Sequence, residues 1–107
     1  MPRFQGEAFA ANLKLFDAFA AIARDAGCTP AQLCLAWLLR KDGIIVPIPG
    51  TTNPEHMRED AAAADVTLSA EVMARVDATV NGAAVTGSRY SPQLQANVDT
   101  ERMPGEL

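Results

Sequence analysis

The chain has 107 residues, which is enough for one domain with a hydrophobic core of its own. Hydrophobic residues make up 49% and charged residues 21%, a balance that excludes the low-hydrophobicity, high-charge composition of disordered chains. A formal net charge of −4 excludes a general electrostatic attraction to nucleic-acid backbones or anionic lipid, so we expect neither nucleic acid nor a membrane among the partners.

The sequence contains no recognisable targeting signal and no cysteine motif. No apolar run reaches the roughly 18 residues of a membrane-spanning helix, and the first seven residues lack the hydrophobic segment of a signal peptide, so we expect a cytoplasmic protein. Cys28 and Cys34 match neither a CxxC redox motif nor a zinc spacing. Both are therefore expected to be small buried apolar residues, and no metal site is predicted.

The first predicted element is a helix from about Glu7 to Ala26. Apolar residues recur there at helical spacing in two adjacent rows, Leu15, Phe19, Ile22 and Ala26 beside Phe9, Leu13, Phe16 and Ala20. Gly27 then suits the left-handed position that ends a helix.

A second helix is predicted from Pro30 to about Lys41. Thr29 and Gln32 form the pattern of a capping box, and Pro30 at the first helical position loses no hydrogen bond. The helix is apolar on nearly every side, so we expect it to be buried against several neighbours, with Trp37 in the core.

Next comes a predicted parallel β-strand, Ile44 to Ile48. Its β-branched run has no polar alternation, as in strands covered on both faces, although Pro47 cannot donate to a ladder. A single strand leaves its amides and carbonyls unpaired. Its partners would have to come from another part of a longer protein or from another chain.

Two more helices and a tail complete the prediction. Asn53 is placed to cap a third helix from Pro54 to about Ala64. Ser69 is placed to cap a fourth that reaches Asn81, with Leu68 and Met73 as a hydrophobic staple. Residues 82–107 have no periodicity and are expected to be an irregular tail anchored by Tyr90, Leu94 and Val98.

The segment between the strand and the third helix carries the chemistry. Gly50 lets a backbone approach a ligand, Thr51 and Thr52 supply hydroxyls, and the first helical amides after Asn53 are unsatisfied donors at the positive end of a dipole. Together they favour a phosphate site. The same residues are also an ordinary way to cap a helix.

The sequence resembles the aldo-keto reductases. The resemblance is carried by residues 29–39 (TPAQLCLAWLL), 45–51 (IVPIPGT) and 54–60 (PEHMRED), in that order, and it extends from residues 2–7 (PRFQGE) to residues 88–90 (SRY). It implies an α/β fold in which residues 1–107 are the C-terminal segment of a (β/α)8 TIM barrel, with about four helices and one strand. A complete barrel needs roughly 250 residues.

The resemblance also implies a cofactor site for NADP(H). It places Thr51 as the hydroxyl contact to the adenosine phosphate, with Thr52 and Asn53 as the rest of the loop. Gly50 stands where the family often has lysine and His56 where it commonly has an arginine. The acidic pair Glu59 and Asp60 matches a Glu-Asn pair near adenine. These departures remove positive charge and add negative charge beside a phosphate, which bears on the choice between NADP and NAD.

The full-length family enzyme would reduce aldehydes or ketones by hydride transfer from NADPH, and its carbonyl substrate would bind only there. No catalytic residue is predicted in this chain, because the family's tyrosine, lysine, aspartate and histidine come from the first half of the barrel. Tyr90 is expected to anchor the tail and His56 to lie exposed on the first turn or to contact phosphate. One alternative is a non-catalytic helical binding or oligomerisation module that binds no nucleotide and self-associates through the unpaired strand. Another is a short stand-alone nucleotide binder or a broken gene product.

Overall fold

A computed structural model describes residues 1–98, which contain five α-helices. They are α1 (Gly6–Ala26), α2 (Pro30–Lys41), α3 (Pro54–Ala62), α4 (Ala70–Thr79) and the four-residue α5 (Pro92–Gln95), with 3-10 turns at Pro2–Phe4 and Ala63–Asp65. By its internal contacts the chain divides into two compact units. One is Phe19–Val76, and the other combines Met1–Ala18 with the chain from Asp77 onward.

Local signals place the helix boundaries. Gly27 has φ +78° at the end of α1, the left-handed conformation that glycine adopts without strain. The capping box of α2 is complete, because Thr29 Oγ1 accepts from the Gln32 amide at 3.2 Å and Gln32 Oε1 accepts from the Thr29 amide at 3.1 Å. Ser69 Oγ accepts from the Val72 amide at 3.1 Å, so α4 begins where the sequence predicts.

The unit Phe19–Val76 contains a small hydrophobic core. Leu33 and Leu68 are its largest fully buried side chains, and the remaining members come from α1, α2 and α4: Phe19, Ile22, Ala23, Ala36 and Val76. Trp37 packs against the edge of this cluster, as its position among leucines predicts. The core therefore joins the end of α1 to α2, Leu68 and α4, and α3 contributes no buried residue to it.

The other unit is joined by hydrogen bonds between its two chain segments. The Asn12 side-chain amide donates to the carbonyls of Arg3 and Thr86, and the Arg3 amide donates to the Ser88 carbonyl at 3.3 Å. Gly87 has φ +83° beside these contacts. The tail contains α5 as well as turns up to residue 98, and Leu94, expected to be an anchor, is exposed. The last part of the predicted irregular tail, residues 99–107, lies outside the described residues.

The predicted strand Ile44 to Ile48 is wrong for this structure. Residues 45–50 are neither helix nor strand, and no strand occurs anywhere in residues 1–98. A strand exists only when another strand completes its hydrogen bonds, and the described chain offers none. Ile44, Val46 and Ile48 are consequently 85%, 80% and 90% exposed.

Helix α2 is also less buried than its composition predicts. Only Leu33 and Ala36 are buried in it, while Cys34 and Leu39 are exposed. Both cysteines are free thiols, and Cys28 is half-buried, so the expectation of two buried cysteines is wrong. The described chain therefore covers only part of the apolar surface of α2.

The described helices include no membrane-spanning candidate. Among residues 1–98 none combines the length and the apolar character needed to cross a lipid bilayer.

Candidate functional site

The loop 50–53 ends in a capped helix N-terminus. Asn53 Oδ1 accepts from the Glu55 amide at 2.9 Å, and the Asn53 carbonyl accepts from the Met57 amide at 3.1 Å, which starts α3. Thr51 Oγ1 accepts from the Asn53 amide at 3.1 Å and so holds the turn that leads into the cap. Both Asn53 and Thr51 are therefore used to shape the loop, as the capping interpretation predicts.

The remaining amides of this loop and turn are open. Within the described chain, the backbone N–H groups of Gly50, Thr51, Thr52 and His56 have no hydrogen-bond partner, and all four residues are exposed. Pro54 has no N–H to offer. Unpaired amides at the positive end of a helix dipole are donors suited to a phosphate oxygen, so capping by Asn53 leaves the helix end accessible.

Charges around the helix end are predominantly acidic. Between residues 50 and 60 there are three carboxylates, Glu55, Glu59 and Asp60, against one guanidinium, Arg58. Arg58 pairs with Glu55 at 2.6 Å on the exposed face of α3. Arg58 is not among the site residues predicted from the sequence, although it is the one arginine in this segment and lies one turn from the helix end. Exposed pairs of this kind contribute little to stability, so Arg58 can exchange partners readily.

A hydrogen bond connects α3 to the capping box of α2. The Gln32 side-chain amide donates to the Glu59 carbonyl at 3.0 Å, while its oxygen closes the capping box with Thr29. Gln32 thus fixes the start of α2 and holds α3 beside it. The capping pattern in the sequence identified Gln32, but its second role depends on a contact 27 residues away.

An open apolar groove of about 400 Å³ adjoins the loop. Helices α2 and α3 contribute Leu35, Leu39 and Met57, and the segment that precedes the loop contributes Val46 and Pro49. Thr51 and Asp60 are its two polar lining residues. Of the predicted site residues, the groove therefore brings together Thr51 and Asp60, which both reach a surface that could receive a flat apolar group.

The other predicted positions lie around this groove. Gly50, Thr52, Asn53 and His56 are exposed at the helix end, and Glu59 is half-buried on the following turn. A Cβ placed on Gly50 would meet no atom within 4 Å, and Gly50 does not have a positive φ, so neither space nor backbone conformation requires glycine here. Tyr90 belongs to the other unit, where the Arg89 guanidinium lies 5.5 Å from its ring centroid. No group of His, Cys, Asp or Glu in residues 1–98 could hold a metal ion.

Comparison with known proteins gives consistent results. A model described as the Aldo/keto reductase family matches residues 2–81. A curated relative from Schizosaccharomyces pombe, named aldo-keto reductase yakc with NADP(+) in its name, is 38% identical over 105 residues. The match covers 96% of this chain and 31% of that relative, so the chain spans about a third of the relative's length.

Proposed function

This chain belongs to the aldo/keto reductase family, and from that premise we propose that it forms the part of such an enzyme that holds the adenosine phosphate of NADP(H). The proposed contacts are the loop 50–53, the first turn of α3 with His56, and the acidic pair Glu59 and Asp60. The supporting observation is the set of exposed, unbonded amides at Gly50, Thr51, Thr52 and His56.

The whole enzyme would reduce an aldehyde or ketone. NADPH would supply the hydride, and a proton donor outside the described residues would complete the reduction. This chain would bind and orient the far end of the cofactor, through amide and hydroxyl hydrogen bonds to phosphate oxygens. We further propose that residues 1–107 act as the C-terminal segment of a (β/α)8 barrel. The exposure of Ile44, Val46 and Ile48 supports this, because an apolar strand of a barrel is covered on both faces.

The proposed site has more acidic than basic side chains, unlike a phosphate site built from lysine and arginine. With three carboxylates and one arginine in residues 50–60, the phosphate would depend on neutral donors and the helix dipole. A 2′-phosphate would therefore bind weakly to this chain. Its affinity would be sensitive to any charge added at the helix end.

Calorimetric titration of the 107-residue chain with 2′,5′-ADP and with AMP tests the proposal. We expect 2′,5′-ADP to bind more tightly, and we expect His56→Glu to weaken it several-fold because a carboxylate on the first turn repels phosphate. A carboxylate there also suits the helix dipole, so the variant should fold. Ala70→Glu adds the same negative charge at the start of α4 and should leave binding unchanged. Absence of nucleotide binding, or equal effects of the two variants, would contradict the proposed site.

A further inference from the structure

Helix α3 carries open amides of the proposed cofactor site at its N-terminus, but burial does little to hold it in place. It contributes no buried side chain, and its first five residues, 54–58, are exposed. Burial resumes only at Ala63, the residue after the helix, which is 2% exposed. The end of α3 that would meet phosphate is therefore its exposed end, so the direction of the helix depends on what fixes its later turns.

The side chain of Gln32 reaches α3 at the point where the helix leaves a carbonyl without its usual partner. In a continuing α-helix the Glu59 carbonyl would accept from the Ala63 amide, but that amide donates to the Asp60 carbonyl as the chain tightens into a 3-10 turn. The Gln32 side-chain amide donates to the Glu59 carbonyl instead, at 3.0 Å. Within residues 1–98 this is the one hydrogen bond that joins α3 to another α-helix.

We propose that Gln32 is a positioning residue for the cofactor site: it anchors the Glu59 carbonyl and so fixes the direction of α3 and of the open amides at its start. The anchor lies about 4.5 Å along the helix axis from His56, since each residue adds about 1.5 Å, so a tilt at Glu59 displaces the first turn. A displacement of about 1 Å is enough to break a hydrogen bond to a phosphate oxygen. This inference rests on the proposed function.

The two polar atoms of the Gln32 side chain serve different helices, so substitutions can separate their roles. Its oxygen accepts from the Thr29 amide at 3.1 Å in the capping box of α2, whereas its nitrogen donates to α3. Gln32→Glu keeps the acceptor for Thr29 and loses the donor, because an ionised carboxylate only accepts. Gln32→Lys keeps a donor for the Glu59 carbonyl, where a cation also suits the end of a helix dipole, and loses the acceptor.

Calorimetric titration of the 107-residue chain with 2′,5′-ADP tests the proposal. Substitutions of the neighbouring exposed residue Ala31 add the same charges on the same turn of α2, so a general charge effect on the nucleotide cancels. We expect Gln32→Glu to bind about two- to tenfold more weakly than Ala31→Glu, the effect of one hydrogen bond, and Gln32→Lys to bind as tightly as Ala31→Lys. A residue that acted only by capping α2 would give the reverse order. Urea denaturation verifies that all four variants fold.

Amide hydrogen exchange without nucleotide follows the anchor itself. The Met57 amide donates to the Asn53 carbonyl in the first turn of α3, and it should exchange several-fold faster in Gln32→Glu than in Gln32→Lys. Equal exchange rates in these two variants would overturn the inference. Equal nucleotide affinities of Gln32→Glu and Ala31→Glu, in a protein whose wild type binds 2′,5′-ADP, would overturn it while the proposed function stands. A wild-type chain that binds no nucleotide would overturn both.

Discussion

Asn12 and Thr86 exchange two hydrogen bonds across 74 positions of sequence: Asn12 Nδ2 donates to the Thr86 carbonyl at 2.7 Å, and the Thr86 amide donates to Asn12 Oδ1 at 2.9 Å. The same Nδ2 also donates to the Arg3 carbonyl at 3.0 Å. One side chain on α1 therefore connects the N-terminal turn and the segment that follows α4.

Removal of this side chain should loosen both segments. We expect Asn12→Ala to lower the free energy of unfolding by about 1–2 kcal/mol, since it deletes three hydrogen bonds, of which one is partly buried and two are exposed. Urea denaturation measures the change. Asn12→Asp keeps the acceptor for Thr86 and loses the donor, so it should fall between the wild type and alanine. Identical stability of all three chains would mean that water replaces these bonds fully.

The core of the unit Phe19–Val76 should depend strongly on Leu33. Its side chain is 0% exposed, so Leu33→Ala should cost about 2–5 kcal/mol through lost burial and a residual cavity. Leu39→Ala makes the same chemical change on the same helix at a side chain that is 39% exposed, and should cost much less. Thermal melts of the two variants followed by circular dichroism compare them. Equal losses would show that the core is not where the structure places it.

Glycine is required at one position and not at another. Gly87 has φ +83°, and a Cβ there would lie 3.0 Å from the Arg3 Cα, so Gly87→Ala should destabilise the chain by about 1–3 kcal/mol. Gly50→Ala should be neutral or slightly stabilising, because a Cβ meets open space and the φ is not positive. Chemical denaturation of both variants checks the contrast. A tolerated alanine at position 87 would contradict the described backbone.

Positive charge at the loop should strengthen nucleotide binding. Gly50→Lys places an ammonium beside the open amides, and we expect about tenfold tighter binding of 2′,5′-ADP at low salt, or about 1.4 kcal/mol, declining as salt is added. Gly43→Lys adds the same charge on the turn after α2, where a Cβ also meets open space, and serves as the control. Equal gains from both lysines would show a general charge effect without a site.

The two thiols should make stability fall at alkaline pH. Burial raises the pKa of the half-buried Cys28 thiol. At Cys34, although the residue as a whole is exposed, desolvation of the thiol group outweighs a backbone hydrogen bond and raises its pKa as well. The folded chain thus keeps these protons to higher pH than the unfolded chain does. The resulting stability is complete below the unfolded pKa, about 8.5, and is lost as the pH rises through the folded values. Urea midpoints measured across this range should fall less steeply for Cys28→Ser combined with Cys34→Ser.

Local signals in the sequence were sufficient for α1 to α4, whereas the short α5 lies in the tail that was expected to be irregular. Thr29, Asn53 and Ser69 each cap a helix within three residues, so their effect is independent of the rest of the fold. The strand predicted at Ile44 to Ile48 is absent from residues 1–98, because the hydrogen bonds of a strand must come from chain that is distant or belongs to another molecule. The β-branched composition indicated correctly that the segment is apolar, but it could not supply a partner strand.

In the candidate site, too, local contacts could be predicted from the sequence and contacts between helices could not. The capped loop at Asn53 followed from the sequence, because Asx and threonine turns are made by adjacent residues. The hydrogen bond from Gln32 to Glu59 could not be predicted from the sequence, because it depends on how α2 and α3 pack. The pairing of Arg58 with Glu55 could not be predicted either, because it depends on side-chain rotamers. The match over residues 2–81 confirms the family that the resemblance indicated.

Trp37 is the single tryptophan of the chain, and the Lys41 ammonium lies 5.0 Å from its ring centroid. Its indole therefore provides one intrinsic optical probe whose emission reports on the last turn of α2 and on the adjacent core. A neighbouring cation stabilises the charge on the excited ring differently from water, so acetylation of Lys41 should shift that emission even when folding is unchanged. Because residues 50–56 contain no tryptophan, a change in tryptophan emission on nucleotide addition would report an effect on α2.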